Sequence, residues 1–572
     1  MKLPCLPNTN TSIAKSGTCG FHHPIKINFV MMKYYFTLII LFLNFLITSA
    51  QKEENDNRFG ENKNKPERQE WLRDQGFGMF IHWSLDSQLG IVISHSMVGS
   101  SNDYIDRFIN ELPKTFDPYK YDAYQMAKLA KLAGMKYIVF TTKHHSGFCM
   151  WDTKTTDFKI TNTAYGKDIL KEYVEGVRKA GLAVGFYYSP EDFKFLHDNN
   201  VTIKRGGLTL DEKTKSAYFD LIRRQTNELF TNYGKIDILF IDGDYNEPCK
   251  EVAWKLQPDL VITRGAVSTP EQTLPGVASN TLWESCITMG TQWQYKPTND
   301  EMKSAGRLIE ILIETRAKGG NLLLNIGPHP DGYIAYPEET RLREIAAWHF
   351  INHEAIENVR PWIIPREENI WFTASKDQKT VYAIITGYPD WIRGDRKEFV
   401  LGSVKSTSET KISVLGQNDL VVEYQNEKDA KSYLKQEADG LHVSVVRAQR
   451  IYNNGKWPNP ITVKLENVIP ALDPPAVETI KADISGNKVT LRGSLAKKGD
   501  AESVKAGFEY RPYAGFVENL YSTSWIRTQF LEKTSEGAFS IEIENLKSDI
   551  QYEFRAVVIH PKMTIYGDIK RF

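Results

Sequence analysis

Cysteine is scarce in this 572-residue chain: there are five, and only Cys149, Cys249 and Cys286 lie beyond Gln51. An odd number at wide spacing is not a disulfide framework, and no Cys-x-x-Cys pair points to structural zinc. Excess charge of either sign is also lacking, with 71 Lys and Arg against 71 Asp and Glu. That balance argues against a nucleic-acid surface and against an acidic solvating tail. Long apolar runs are missing apart from one, so a polytopic membrane protein is excluded. What is present is an ordinary globular mixture, 41% hydrophobic, 25% charged and 12% aromatic. Its stability must come from packed cores, and its length predicts more than one of them.

The single apolar run is YYFTLIILFLNFLI, from Tyr34 to Ile47. It is short of the roughly 20 residues that span a bilayer. It follows Met32-Lys33 and ends in Thr48-Ser49-Ala50, the layout of a secretory signal peptide. The polar stretch before Met32, with Cys5 and Cys19, does not fit that layout and reads as an upstream extension of the true start at Met31 or Met32. Residues 1–50 are therefore assigned to extension plus signal, and no Cys follows the run to accept a lipid. The chain is expected to be exported without stable membrane insertion. A bacterial periplasmic or extracellular location is favoured, or a lysosomal one in a eukaryote. Residues 51–68, charged and Asn-rich, read as a leader.

From 69 to 357, short apolar runs alternate with amphipathic stretches. GMFIHW, YIVFTT, AVGFYYS, IDILFID, LVIT and NLLLNIG read as strands, with helical patterns between them such as 169–180 and 301–317. Continuous apolar strands separated by helices predict βα units on a parallel sheet. Nearly 300 residues of that rhythm suit a (β/α)8-like barrel, so the fold class is α/β. From 358 to 468, period-two runs such as TVYAIITGY and LHVSVV predict a β-sandwich. Pro470, Pro474 and Pro475 mark a linker, and 469–572 reads as a smaller sandwich with fibronectin-III-like spacing. Its aromatics Tyr510, Tyr513 and Phe516 are more readily core than sugar platforms.

Catalytic groups of a parallel barrel sit where its strands end. Those ends carry His82-Trp83, Lys143 followed by His144-His145, Tyr187-Tyr188, Asp242 and Arg264, and the segment TLWESC adds Glu284. Imidazoles, aromatic rings and carboxylates at one mouth suit a sugar, whose faces stack on rings and whose hydroxyls bond imidazole. Each feature has a plainer reading. His82-Trp83 could be a core pair, and strand alternation would let only one of His144 and His145 face inward. Asp242-Gly243-Asp244 has the composition of a turn. Yet Asp242 directly follows ILFI, and burying an unpaired carboxylate costs several kcal/mol.

The ordered set FGMFIHW, KHHSGFCMW, GFYYS, LFIDG, WESC with Trp293 after it, and GGNLLLNIGP resembles the α-L-fucosidases of glycoside hydrolase family 29, over roughly residues 60–355. The resemblance implies a metal-free and cofactor-free retaining hydrolase of terminal α-L-fucose, with a β-sandwich after the barrel. It implies Asp242 as nucleophile and Glu284 as acid/base, with Asp244 and Glu247 as rival carboxylates. It further implies His82, His144 and His145 as sugar-hydroxyl contacts and Trp83 and Tyr188 as pocket wall, with Arg264 and Trp293 nearby. The implied partner is a fucosylated oligosaccharide or glycoconjugate.

Two positions depart from the family pattern: Ser146 in HHSGF, where aspartate is usual, and Ser84 after His82-Trp83. They leave open a sugar-binding pseudoenzyme, or a retaining glycosidase for a related sugar such as galactose.

Overall fold

The apolar runs of the first half are buried on both faces, as a helix-covered parallel sheet requires. They form β1 (Phe77–Ile81), β2 (Tyr137–Lys143), β3 (Ala183–Tyr188), β4 (Ile238–Ile241), β5 (Val261–Ile262), β6 (Glu284–Thr288) and β7 (Asn321–Ile326). In the computed structural model these pair in the order β5-β4-β3-β2-β1-β7-β6, every pair parallel. The structure describes residues 61–572 except 206, 299, 453–457, 487, 514–523, 545, 548 and 549. The apolar run at 34–47 and Phe516 lie outside the described residues. Among the described residues no helix is long and apolar enough to cross a membrane.

The sheet curls on itself. Phe80, Val139, Tyr187, Phe240, Val261, Cys286 and Leu323, one from each strand, belong to a single buried cluster. Among the described residues the sheet has seven strands rather than eight. Between β5 and β6 the segment 268–271 takes the missing place, with isolated parallel bridges from Ser268 to Trp283 and from Glu271 to Cys286. Pro270 lies between those bridges, and a residue without an N–H cannot sustain a ladder. Helices such as Ala123–Leu132, Ile169–Ala180, Glu212–Asn232 and Ala305–Ala317 cover the outside.

The leader assigned to 51–68 gives way to folded structure within its last residues. Asn64 is buried, and its amide both donates to Ile262 O at 2.8 Å and accepts from Ile262 N at 2.8 Å. It thus pairs the free edge of β5 as a strand would, and a helix starts at Pro66. One polar side chain made this contact, so hydrophobic patterning gave no sign of it.

Beyond the barrel, antiparallel strands form a five-stranded sheet that includes Ile370–Ala374, Thr380–Ile385 and Ile461–Pro470. It shares a core with a three-stranded sheet through Phe372, Val381, Leu441, Val443 and Leu465. A final pair of sheets, built on Lys488–Lys497 and on Tyr552–His560, encloses Leu491, Phe508, Phe539 and Phe554.

Candidate active site

Asp242 follows the last residue of β4, at the C-terminal mouth of the barrel. Its side chain is 16% exposed. The Tyr187 phenol donates to Oδ2 at 2.9 Å and Arg264 Nη1 donates to Oδ1 at 3.0 Å. His145 Nε2 is 3.6 Å and Arg205 4.0 Å away. Burial alone would push the Asp242 carboxyl up, but the guanidiniums of Arg264 and Arg205 and the Tyr187 hydrogen bond outweigh it. The group is held below the usual carboxylate range, as a fixed anion at the pocket floor.

The histidines gather around this anion. His82 continues β1 and bonds Asn325 Oδ1 through Nδ1 at 2.6 Å, with the Trp293 ring 4.7 Å from its own. Burial pushes its imidazole down to about 4. His144 stacks on Tyr187, the planes 5° apart, and its Nδ1 meets Ser94 Oγ at 2.9 Å. His145 Nδ1 meets Ser189 Oγ at 2.6 Å. Burial also drives both of these imidazoles well below their ordinary range, so they are neutral hydrogen-bonding groups. Both enter the cluster, contrary to strict alternation, because β2 ends at Lys143 and the pair lies in the turn beyond it.

Ser94 is placed by a buried carboxyl. Its backbone, at φ +56°, donates to Asp86 Oδ2 at 2.7 Å. Ser94 Oγ also accepts from Ser146 N at 2.9 Å. Ser146 itself is buried in that turn and its hydroxyl accepts only a long bond from Phe148 N, 3.4 Å. The departure at this position is therefore absorbed in the turn. Ser84 is likewise buried, immediately before a short 3-10 turn at Leu85–Leu89.

Three residues singled out from sequence take directions or heights that the strand ends did not reveal. Trp83 turns away from the pocket, into the layer between sheet and helices, against Phe116, Tyr121 and Phe140. Tyr188 also points outward, its phenol donating to Gln225 Oε1 at 2.8 Å, and the pocket tyrosine is its neighbour Tyr187. Glu284 is the first residue of β6, level with Asn321 at the start of β7, whereas Asp242 comes after the end of β4. It is fully buried, accepts from Tyr137 at the start of β2 at 2.5 Å, and burial lifts it to about 7.

Residues not singled out from sequence complete the site. Arg264 spans two carboxylates: while Nη1 holds Asp242, Nη2 donates to Glu271 Oε2 at 2.9 Å. Glu271, 30% exposed, sits on the seam segment. Glu191 is buried beside Arg205 and His145, at 3.5 and 3.4 Å, and burial together with the negative Asp242 raises its carboxyl. His95, from a short turn at His95–Met97, brings a further imidazole 5.5 Å from His145. Only the seam geometry marks Glu271, since STPEQT looks like a loop.

The chain as a whole is similar to known proteins. The α-L-fucosidase family profile matches residues 45–354. The chain is 27% identical over 390 residues to an α-L-fucosidase of Branchiostoma floridae, covering 60% of this chain and 84% of that one. It is 28% identical over 395 residues to the plasma α-L-fucosidase of Rattus norvegicus, covering 60% and 82%. Among solved structures, α-L-fucosidase isoenzyme 1 from Paenibacillus thiaminolyticus superposes with a TM-score of 0.56 at 27% identity, over 70% of this chain and 99% of that one. A family 29 fucosidase of Bacteroides thetaiotaomicron, trapped as a covalent intermediate with 2-fluoro-fucosyl fluoride, shares the fold with a TM-score of 0.56 at 21% identity, over 72% and 98%. With a parallel curled sheet, a carboxylate anion at its mouth and this similarity together, the chain belongs to the α-L-fucosidase family and is a glycoside hydrolase.

Proposed function

We propose that the protein is an exported, retaining exo-α-L-fucosidase acting on a terminal fucose of a glycan, with Asp242 as nucleophile and Glu271 as acid/base. The observation that carries this reading is the pair of carboxylates joined by the one guanidinium of Arg264 at the barrel mouth. A retaining glycosidase needs two such groups within a few ångströms of the same anomeric carbon. Glu271 takes the role that the WESC motif implied for Glu284, because it is partly open to solvent where an aglycone and water arrive.

In the first step an Asp242 oxygen bonds to C1 as the bond from C1 to the leaving oxygen breaks, and that oxygen takes a proton from Glu271. In the second, water attacks C1 while Glu271 removes its proton, and the ester to Asp242 breaks. His82, His144 and His145 supply neutral donors and acceptors for sugar hydroxyls, and Tyr187 and Trp293 supply ring surface. Export rests on the signal-like run 34–47. Hydrolysis of an aryl α-L-fucoside, with Asp242→Gly as control, tests the reading. Turnover in that variant equal to wild type would reject it, and a panel including α-galactosides separates the two sugars.

A further inference from the structure

Three imidazoles, those of His95, His144 and His145, meet beside Asp242. One ring nitrogen from each of His95, His144 and His145 lies within 4.8 Å of the others. The His144 and His145 ring centroids are 4.1 Å apart, and the His95 ring is 6.0 and 5.5 Å from them. Serine hydroxyls engage Nδ1 of both His144 and His145. Such outer contacts orient imidazole in metal sites, fixing tautomer and ring plane. His145 Nε2 is buried without a hydrogen-bond partner and lies 3.6 Å from Asp242 Oδ2.

We infer that His95, His144 and His145 form an inhibitory three-imidazole site, beside Asp242, for a divalent transition metal, of which zinc is the test case. Zinc takes imidazole nitrogens at about 2.0–2.1 Å in tetrahedral geometry, which sets the nitrogens about 3.4 Å apart. The trio must therefore contract by up to about 1.4 Å from its 4.8 Å limit. His95 makes that movement, being half-buried on a short turn while the other two are packed. The competitor is Arg205, 41% exposed, whose Nη1 stands 3.5 Å from His95 Nε2 and which must swing out as the metal enters.

A metal here covers the nucleophile, so metal and sugar exclude each other. That consequence rests on the proposed function, whereas the binding itself does not. Equilibrium dialysis of the full chain against zinc chloride tests the site directly. One zinc per chain is expected at this position, with affinity falling about tenfold or more in His95→Ala and rising in Arg205→Ala. The exposed cluster Glu437, Asp439 and His442 also brings ligand atoms within 4.8 Å, so His442→Ala serves as control and should retain the zinc. Affinity unchanged in His95→Ala, or zinc lost in His442→Ala, overturns the proposal. In the same wild-type preparation, zinc should inhibit aryl fucoside hydrolysis competitively. Stoichiometric zinc lost in His95→Ala with no fucosidase activity would leave the site standing and count against the activity alone.

Discussion

Tyr187 donates its phenolic proton to Asp242 across 2.9 Å, from the end of the strand next to the one that carries the carboxylate. Removing one donor from a buried anion makes its ionisation less favourable. Tyr187→Phe should therefore move the acidic limb of the kcat/KM profile to higher pH. A pH–rate profile of the variant superposable on wild type would show that the bond does not tune the nucleophile.

Glu271 and Glu284 make opposite predictions. Glu271→Ala should lower turnover by roughly 10²–10⁴-fold, as expected for loss of a general acid/base. Azide should rescue it to give the α-fucosyl azide, because the anion enters on the face used by water. Rescue of Asp242→Gly should instead give the β-fucosyl azide, formed by direct displacement. Glu284→Gln should keep turnover within a few-fold. Product anomers read by NMR distinguish these outcomes.

Glu284 predicts a stability effect in place of a catalytic one. Burial raises it to about 7 from an ordinary 4.5, so the folded protein holds this proton more tightly than the unfolded chain. Its stabilising contribution is full below about pH 4.5, declines as pH rises and is lost above about 7. Glu284→Gln should leave stability near pH 4.5 little changed and raise it above pH 7 by at most about 3 kcal/mol. Denaturant unfolding at the two pH values measures the difference.

Ser94 holds His144 at 2.9 Å and is itself held by Asp86. Ser94 Oγ, which also accepts the Ser146 N–H, shares a hydrogen bond with His144 Nδ1 and so fixes the tautomer of that ring. Ser94→Ala should raise KM more than it lowers kcat, and shift the 15N resonances of His144 as its tautomer is released. Unchanged 15N shifts would reject the assignment.

The outward placement of Tyr188 is testable against its neighbour. Its hydroxyl contacts Gln225 in the helix layer. Tyr188→Phe should cost about 1 kcal/mol of stability and leave kcat/KM within about twofold. A loss of activity comparable to that of His82→Ala would return Tyr188 to the pocket.

Much of this was open to reading from the chain itself. The βα rhythm identified the barrel, and a carboxylate directly after ILFI stood out as a strand-end anion, because burial there demands partners. His82, His144, His145, Arg264 and Trp293, singled out by strand ends and motifs, are brought together near Asp242 by the fold. Misassignments cluster where a strand is buried on both faces. In His82-Trp83 and Tyr187-Tyr188 both neighbours are apolar or aromatic, so period-two contrast, which tells inside from outside, is absent.

Composition, strand pattern and motif order by themselves determined an α/β barrel followed by β-rich modules, and an anion at the end of β4. Tertiary structure alone decided which glutamate faces it. Glu284 and Glu271 are both acidic residues near β6, but Glu284 begins that strand and is enclosed in the barrel, whereas Glu271 lies beside Cys286 further along it and is 30% exposed. The irregular segment 268–271 lays Glu271 beside β6, where the single guanidinium of Arg264 ties it to Asp242. That juxtaposition depends on how the sheet closes in three dimensions, which one-dimensional periodicity does not encode.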